Sequence, residues 1–250
     1  MDLQLTGKVA LVTGASVGLG RAIAKELAAE GCRLAILARR RNLLEELAAE
    51  LPASAEPFII VQDITAPGAA DAIKEAMVGH FGRCDILINN AGGSRPQPDL
   101  GSDEVWMESM ELNFHAGRRI THALVPLMQA QKWGRIINLT GADEPFMVNA
   151  ANPPNGAVHI WAKALSRVLG RDGITVNSLP PGRIRSEQID NKVLTSEEAR
   201  RAWAEKEVPA GYIGDPRDMA VIATFLCSPL ARYITGQVIH VDGGARRFAH

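Results

Sequence analysis

The chain has 250 residues, 27 Lys and Arg against 28 Asp and Glu, and 46% hydrophobic residues. This length suits one domain with a large core, and a net charge of -1 excludes the positive field that gathers nucleic acid or coats an anionic membrane. The three distant cysteines, Cys32, Cys84 and Cys227, form neither a disulfide framework nor a zinc site, so we expect them to be small reduced core residues.

The termini and apolar segments carry no targeting signal. The first residues include an acid and reach Lys8 before an apolar run develops, unlike a signal peptide. The longest stretch without Asp, Glu, Lys or Arg, 145–162, contains three Pro and three Asn, which excludes a membrane span. We therefore expect a cytoplasmic protein.

Short apolar runs alternate with helical segments along the chain. The first run, Val9 to Thr13, is followed by Leu19, Ile23 and Leu27 at helical spacing over residues 18–30. This alternation predicts a doubly wound α/β fold, with a parallel sheet between two helical layers, as a single domain over 1–250. Further strands are predicted at 34–38, 58–62, 85–88, 135–140, 173–177 and 237–241, and further helices at 42–51, 68–80, 102–132, 156–170 and 216–228.

The segment 183–214 departs from this alternation. It has no strand pattern, and Thr195-Ser-Glu-Glu198 is typical of a capping box that opens a charged helix reaching Glu207. A helical insertion after the carboxyl end of a strand lies where such sheets bind ligands. The segment is either a substrate lid or a plain surface helix.

A glycine-rich turn joins the first strand to the first helix. Gly14, Gly18 and Gly20 allow a tight turn, close approach of the backbone to a pyrophosphate and close packing of the helix on the strand. The helix then offers free N–H groups and a partial positive charge to the anion. With the strand and helix on either side, the turn predicts dinucleotide binding.

Several motifs in the same order resemble the short-chain dehydrogenase/reductase family over essentially the whole chain. They are the Gly-x3-Gly-x-Gly turn, Asn89-Asn90-Ala91-Gly92, Lys163, Pro181-Gly182 and the segment 235–244. The resemblance implies a seven-stranded Rossmann sheet, an oxidoreductase activity and NAD(H) or NADP(H) as cofactor. It also implies a homotetramer or homodimer.

The end of the second predicted strand bears on the choice of cofactor. Arg39, Arg40 and Arg41 follow Ala38, with no acid where a ribose-binding carboxylate would select NAD. A guanidinium suits a 2′-phosphate, which a carboxylate would repel. The three arginines also fit the solvated first turn of a helix. We predict NADP(H) in preference to NAD(H).

The resemblance places other residues along the cofactor. It implies that Asp63 contacts the adenine, although this carboxylate also fits a turn cap. Asn90, Ala91 and Gly92 would follow the adenine-side ribose, unless the asparagines only satisfy backbone groups at a strand end. The full set of implied cofactor contacts is Gly14, Ser16, Gly18, Leu19, Gly20, Arg39, Arg40, Asp63, Ile64, Asn90, Ala91, Gly92, Lys163, Pro181, Gly182, Ile184 and Ser186.

The catalytic pattern of that family is incomplete here. Its members use Asn, Ser, Tyr and Lys, with Tyr four residues before Lys on one helix face. Asn113 and Lys163 match the first and last, but position 159 is His and position 141 is Gly. The two tyrosines, Tyr212 and Tyr233, are followed four residues later by Pro and Gln, so neither restores the motif.

Three residues remain candidates for the chemistry: Asn113, His159 and Lys163. A neutral imidazole at His159 can donate an N–H to a carbonyl, or the ring only fills the space of the missing tyrosine. Thr140, beside Gly141, offers a hydroxyl where the serine is absent. Asp143 and Glu144 are displaced proton carriers, binders of a basic substrate or a solvated loop pair.

These observations favour an NADP(H)-dependent oxidoreductase that interconverts a carbonyl and an alcohol on a small molecule, with an atypical active site. One alternative is a catalytically impaired NADPH-binding regulatory or scaffold protein of the same fold. Another is a non-redox enzyme that uses the same pocket.

Overall fold

The computed structural model describes residues 1–141, 144, 147–186, 189 and 194–248. Within them, six parallel strands form one sheet in the order β3-β2-β1-β4-β5-β6. This arrangement confirms the doubly wound α/β prediction. The strands are β1 (Val9–Thr13), β2 (Arg33–Ala38), β3 (Phe58–Val61), β4 (Ile86–Asn89), β5 (Gly134–Leu139) and β6 (Ile174–Leu179).

The expected seventh strand, 237–241, is only partly formed. Its backbone runs parallel to β6 and continues past its end, with single bridges at Ser178–Val238 and Pro181–Val241. Ile239 N–H donates to Ser178 O, and Gly182 N–H donates to Val241 O. Pro180 lies between these bonds and has no N–H, so the ladder is interrupted there. The prediction of a seven-stranded sheet is therefore corrected to six strands and a broken edge segment.

Helices cover both faces of the sheet and complete two apolar cores. One core lies beneath α1, α2 and α8, and the other beneath α3, α5 and α6. Alternate strand residues point into the two cores, so both faces of the strands are buried. Every residue from Val9 to Thr13, for example, is buried. The helices are α1 (Gly18–Ala29), α2 (Arg41–Glu50), α3 (Ala69–Phe81), α4 (Asp103–Met110), α5 (Ala116–Ala130), α6 (Asn152–Leu169), α7 (Glu197–Glu207) and α8 (Pro216–Cys227).

Three helical predictions differ from the structure. The helix expected over 102–132 is divided by a π-helical turn, Glu111–His115, between α4 and α5. α6 begins at Asn152, one turn before the expected start, because its two prolines occupy the first turn, where their missing N–H groups cost little. α7 is capped by Ser196, whose Oγ accepts from Ala199 N–H, and not by the expected Thr195.

Strands β1 and β4 are neighbours at the centre of the sheet, although β2 and β3 separate them in sequence. The connections on either side of this pair run in opposite directions, which opens a crevice at the carboxyl ends of the strands. No helix of the described residues is long and apolar enough to cross a membrane.

Candidate active site

The crevice opens into a cleft of about 1800 Å³ along the carboxyl ends of the strands. Its size exceeds that of an ordinary small-molecule pocket, which indicates room for a dinucleotide and a second molecule. Most of the residues named from sequence line it. They are Gly14, Ser16, Gly18, Leu19, Arg39, Arg40, Asp63, Ile64, Asn90, Ala91, Gly92, Asn113, Pro181, Gly182, Ile184 and Ser186.

The three glycines of the first turn have different roles. A Cβ on Gly14 would lie 2.8 Å from Asn90 Nδ2, and one on Gly20 would lie 2.4 Å from Gly14 O, so both are required by close packing. Gly20 is buried and lies behind the cleft wall. Gly18 has φ +58° and faces open space, with Ser186 Cβ the nearest atom at 4.0 Å. The turn therefore forms a cradle over the amino end of α1, as a pyrophosphate requires.

Asn90 joins the ends of the two central strands. Its Nδ2 donates to Thr13 O and Gly14 O at 3.0 and 3.1 Å. Its backbone N–H donates to Thr13 Oγ1 at 3.0 Å. The side chain thus satisfies backbone groups at a strand end, as one reading of the sequence proposed, and fixes the glycine turn against β4.

One end of the cleft lies beyond β2 and β3 and is formed by Arg39, Arg40 and Asp63. Arg39 is 79% exposed, and its Nη1 lies 3.9 Å from Asp63 Oδ2. Arg40 Nη2 lies 3.5 Å from Ser16 Oγ. Asp63 Oδ1 accepts from the backbone N–H and the hydroxyl of Thr65, and these bonds lower the pKa of Asp63. Asp63 is therefore a turn cap that also faces the cleft.

The segment after β6 forms the third side of the cleft. Gly182 N–H donates to Val241 O at 2.9 Å, and a Cβ on Gly182 would lie 2.5 Å from Asp242 Cα. Ile184 is buried, and Ser186 Oγ accepts from Ile189 N–H at 3.2 Å. Close packing of Gly182 on the broken edge segment fixes this wall.

Asn113 lies in the π-helical turn between α4 and α5. Its Oδ1 accepts from Gly93 N–H at 2.9 Å, and its Nδ2 lies 3.2 Å from Gly93 O and 3.0 Å from Ser109 Oγ. The amide therefore anchors the loop after β4, and the unusual turn positions it there. Single π turns of this kind occur often at functional sites.

The structure does not bring His159 and Lys163 to the cleft wall. His159 is half-buried, and its Nε2 lies 2.9 Å from Thr140 Oγ1, which does line the cleft. Lys163 is exposed and lies beside Gly236, where a Cβ would be 3.2 Å from Nζ. The cleft wall is thus formed by Thr140, and the ring of His159 contacts the hydroxyl of that residue.

The positions on this face that do reach the cleft lie one and two turns before His159. Ala151, directly before the helix, and Asn155 both line it, together with Gly141. A Cβ on Gly141 would lie only 2.5 Å from Asn155 Nδ2. The amide of Asn155 therefore occupies the space that a serine side chain at position 141 would need. Within the described residues, it has no hydrogen-bond partner of its own.

The family resemblance implies that a loop at 149–155 forms one wall of the pocket, but it names neither Ala151 nor Asn155 as a site residue. Most of this segment is helical in the structure, because prolines are well tolerated in the first turn of a helix. The signal was nevertheless present, because residues 151, 155, 159 and 163 all lie four apart and share one helix face.

The chain turns back on the cleft near its carboxyl end. Glu144 accepts from Arg246 Nε at 3.1 Å and from the backbone N–H groups of Arg247 and Phe248 at 2.9 Å. These bonds lower the pKa of Glu144, with the Arg247 N–H as the main cause. Glu144 therefore holds the tail at the cleft wall. Asp143, named with it as a candidate, lies outside the described residues.

Comparisons with known proteins agree with this geometry. A family model described as Enoyl-(Acyl carrier protein) reductase matches residues 14–246. The 3-oxoacyl-(acyl-carrier-protein) reductase FabG of Vibrio cholerae is 36% identical over 97% of this chain and 98% of its own length. The corresponding protein of Escherichia coli is 34% identical over the same shares.

Solved structures show the same similarity over nearly the whole chain. L-sorbose reductase from Gluconobacter frateurii, complexed with NADPH and L-sorbose, superposes with a TM-score of 0.92 at 30% identity, over 99% of this chain and 100% of that one. YwfH, an NADPH-dependent reductase involved in bacilysin biosynthesis, gives a TM-score of 0.90 at 29% identity, over 97% and 100%. With its central crevice, glycine cradle and these relatives, the chain belongs to the short-chain dehydrogenase/reductase family of oxidoreductases.

Proposed function

We propose that this protein is an NADP(H)-dependent reductase that interconverts a carbonyl and an alcohol on a small molecule. The observation that carries the proposal is the open cradle at Gly18, continuous with a cleft that ends at Arg39 and Arg40. Backbone N–H groups of the cradle would hold the pyrophosphate, and the two guanidinium groups would hold a 2′-phosphate. The named relatives that bind NADPH support this choice of cofactor.

The reacting oxygen would lie between Thr140 and Asn155. When bound, the nicotinamide supplies a hydride to the carbonyl carbon. Thr140 Oγ1 would donate its proton to the carbonyl oxygen, and the imidazolium form of His159, whose Nε2 lies 2.9 Å from that hydroxyl, would pass a proton to Thr140 and become neutral. Water would then return a proton to His159. Asn155 Nδ2 would donate a second hydrogen bond from the place where a serine would stand.

Two measurements test this function. NADPH binding is followed by fluorescence titration, and NADPH oxidation is measured across a panel of aldehydes and ketones. We expect tight binding of NADPH and turnover that falls about 10²–10³-fold in Thr140→Val, the usual effect of removing one donor to a developing oxyanion. Thr140→Ser, which keeps the hydroxyl, is the matched control. Absence of NADPH binding would reject the proposal.

A second candidate is an NADPH-binding regulatory or scaffold protein without catalysis. Two observations favour it. Ala151, which lines the cleft on the same face as Asn155, has no group that can donate a proton to a substrate. Tyr212 and Tyr233 are 57% and 99% exposed, and neither lines the cleft. This candidate predicts tight NADPH binding with no oxidation of NADPH by any carbonyl tested. Turnover that depends on Thr140 would reject it.

We further propose that α7 belongs to a substrate lid over 183–214 and that the chain forms a homodimer or homotetramer. Trp203 and Glu207 of α7 line the cleft, which supports the lid. Ile160 and Val168, eight residues apart on one face of α6, are 77% and 71% exposed, which supports an interface between copies. Neither apolar side chain lies in the cleft described above.

A further inference from the structure

Arginines are frequent along the cleft, and their partners differ. Four of them form ion pairs with carboxylates of the chain: Arg39 with Asp63 at 3.9 Å, Arg95 with Glu108 at 2.9 Å, Arg246 with Glu144 at 3.1 Å and Arg247 with Glu207 at 3.2 Å. Arg183 lines the same cleft but, among the described residues, forms neither an ion pair nor a side-chain hydrogen bond.

The guanidinium of Arg183 is held by an aromatic ring. Its Cζ lies 5.0 Å from the ring centroid of Trp203, on α7. This distance allows a cation–π contact, which fixes the cation and leaves its N–H groups free for other partners. The backbone is also fixed, because Gly214 N–H donates to Arg183 O at 3.0 Å. Arg183 is thus an ordered cation at a defined place.

Partial burial makes this arrangement costly without a counter-charge. The side chain is half-buried, and loss of hydration lowers the pKa of Arg183, with no neighbouring charge contributing. A desolvated guanidinium is stabilised most effectively by an oxyanion that accepts two parallel N–H bonds. The residues that the structure describes offer no such group to Arg183, so a bound molecule is its natural partner.

The position of Arg183 indicates which part of a bound molecule it meets. It directly follows Pro181 and Gly182, at the end of the cleft far from Arg39 and Arg40. The cradle at Gly18 and the two arginines at the other end account for the phosphates of a dinucleotide. Arg183 therefore lies along the part of the cleft that is left for the second molecule.

We infer that the substrate carries an anionic oxygen group, a carboxylate or a phosphate, and that Arg183, held against Trp203, binds it. This inference rests on the proposed function in treating the bound anion as part of the substrate. It adds the class of substrate and a specificity-determining residue. A carbonyl held between Thr140 and Asn155 would place the anion at the lid side of the cleft.

The binding test uses the NADPH-loaded protein with inorganic phosphate and with acetate as separate probes, measured by calorimetry. We expect one of the two anions to bind, and Arg183→Gln to weaken it at least about tenfold, as for the loss of a charged hydrogen bond. Arg247→Gln is the matched control, because Arg247 lines the cleft but already pairs with Glu207. Equal binding by wild type and Arg183→Gln would overturn the inference.

The kinetic test compares carbonyl substrates that differ only in charge. The carboxylate arm pairs 4-oxopentanoate with its methyl ester, and the phosphate arm pairs dihydroxyacetone phosphate with dihydroxyacetone. We expect kcat/KM to favour the anion in one arm at least about tenfold, and Arg183→Gln to remove that preference. A preference that survives in Arg183→Gln would overturn the inference.

NADPH affinity separates the two proposals. We expect Arg183→Gln to leave the Kd for NADPH within about twofold, because the contact is to the substrate. An equal loss of NADPH and anion affinity would assign Arg183 to the cofactor and overturn the inference. Failure of wild type to bind NADPH at all would instead reject the proposed function.

Discussion

The Nδ2 atom of Asn155 lies 2.5 Å from the point where a Cβ would stand on Gly141. A Cβ and an amide nitrogen cannot be that close, so a side chain at position 141 and the present conformation of Asn155 exclude each other. The two residues therefore form one unit: the absence of a side chain at one position permits the amide at the other.

Restoring a serine at position 141 is accordingly expected to destabilise the protein. We predict that Gly141→Ser lowers the free energy of unfolding by about 0.5–1.5 kcal/mol, because the Asn155 amide must rotate out of its present position. The same change in an Asn155→Ala background is expected to cost much less, because the space is then free. Chemical denaturation of the four variants in a double-mutant cycle measures this coupling. Equal costs in both backgrounds would contradict the contact.

The hydrogen bond between Thr140 and His159 predicts that the ring acts through the hydroxyl. His159→Ala is expected to lower kcat while leaving the Kd for NADPH unchanged, and to have little further effect in Thr140→Val. Additive losses of kcat in the double variant would mean that the ring reaches the substrate by another route.

Lys163 allows a test of whether the lysine that binds the nicotinamide ribose in the family has the same role here. A lysine that binds the nicotinamide ribose would be essential for NADPH affinity, whereas an exposed lysine beside Gly236 would not. We predict that Lys163→Ala changes the Kd for NADPH less than about twofold, as for other surface substitutions. An increase of about tenfold in the Kd for NADPH, with an unchanged melting temperature, would place Lys163 at the cofactor.

Arg39 is expected to discriminate between the two dinucleotides. Because a guanidinium at this end of the cleft suits a 2′-phosphate, which a carboxylate would repel, Arg39→Asp should weaken NADPH at least about tenfold more than NADH. Arg41→Asp is a control, since Arg41 does not line the cleft and lies 3.7 Å from Glu45. Equal losses for both cofactors in a titration would refute the role of Arg39.

The buried thiols give the protein a defined response to alkaline pH. Cys32, Cys84 and Cys227 are buried and form no disulfide among the described residues, as the sequence predicted. Burial raises the pKa of Cys32 from 9.0 to about 12. The folded thiol thus keeps its proton at pH values where the unfolded one loses it. The contribution of the protonated thiol to the free energy of unfolding is therefore complete below about pH 9 and is lost as the pH rises toward 12.

We therefore expect the stability of wild type relative to Cys32→Ala to fall between about pH 8 and about pH 10. Urea denaturation of both proteins at the two pH values measures the difference. A constant difference would show that the thiol ionises as readily in the folded state. Thiol reagents should modify the native protein only after unfolding.

The sequence by itself determined the layered fold and the cradle for the cofactor. Apolar runs of five or six residues, such as Val9 to Thr13, are long enough for a buried strand, and the three glycines lie in one short turn. These are local properties, readable over about ten residues. The interruption at Pro180 was also encoded locally, but it removes one bond from a long-range ladder.

Only the tertiary structure decided which turn of α6 faces the cleft. Residues 151, 155, 159 and 163 share one helix face, so periodicity fixes the direction of their side chains but not their position along the helix axis. That position depends on where the helix begins. Asn149 sets it, because its Oδ1 accepts from both Ala151 N–H and Arg95 N–H, 54 residues away in sequence. A contact between distant segments therefore places Asn155 at the cleft wall, while His159 contacts Thr140.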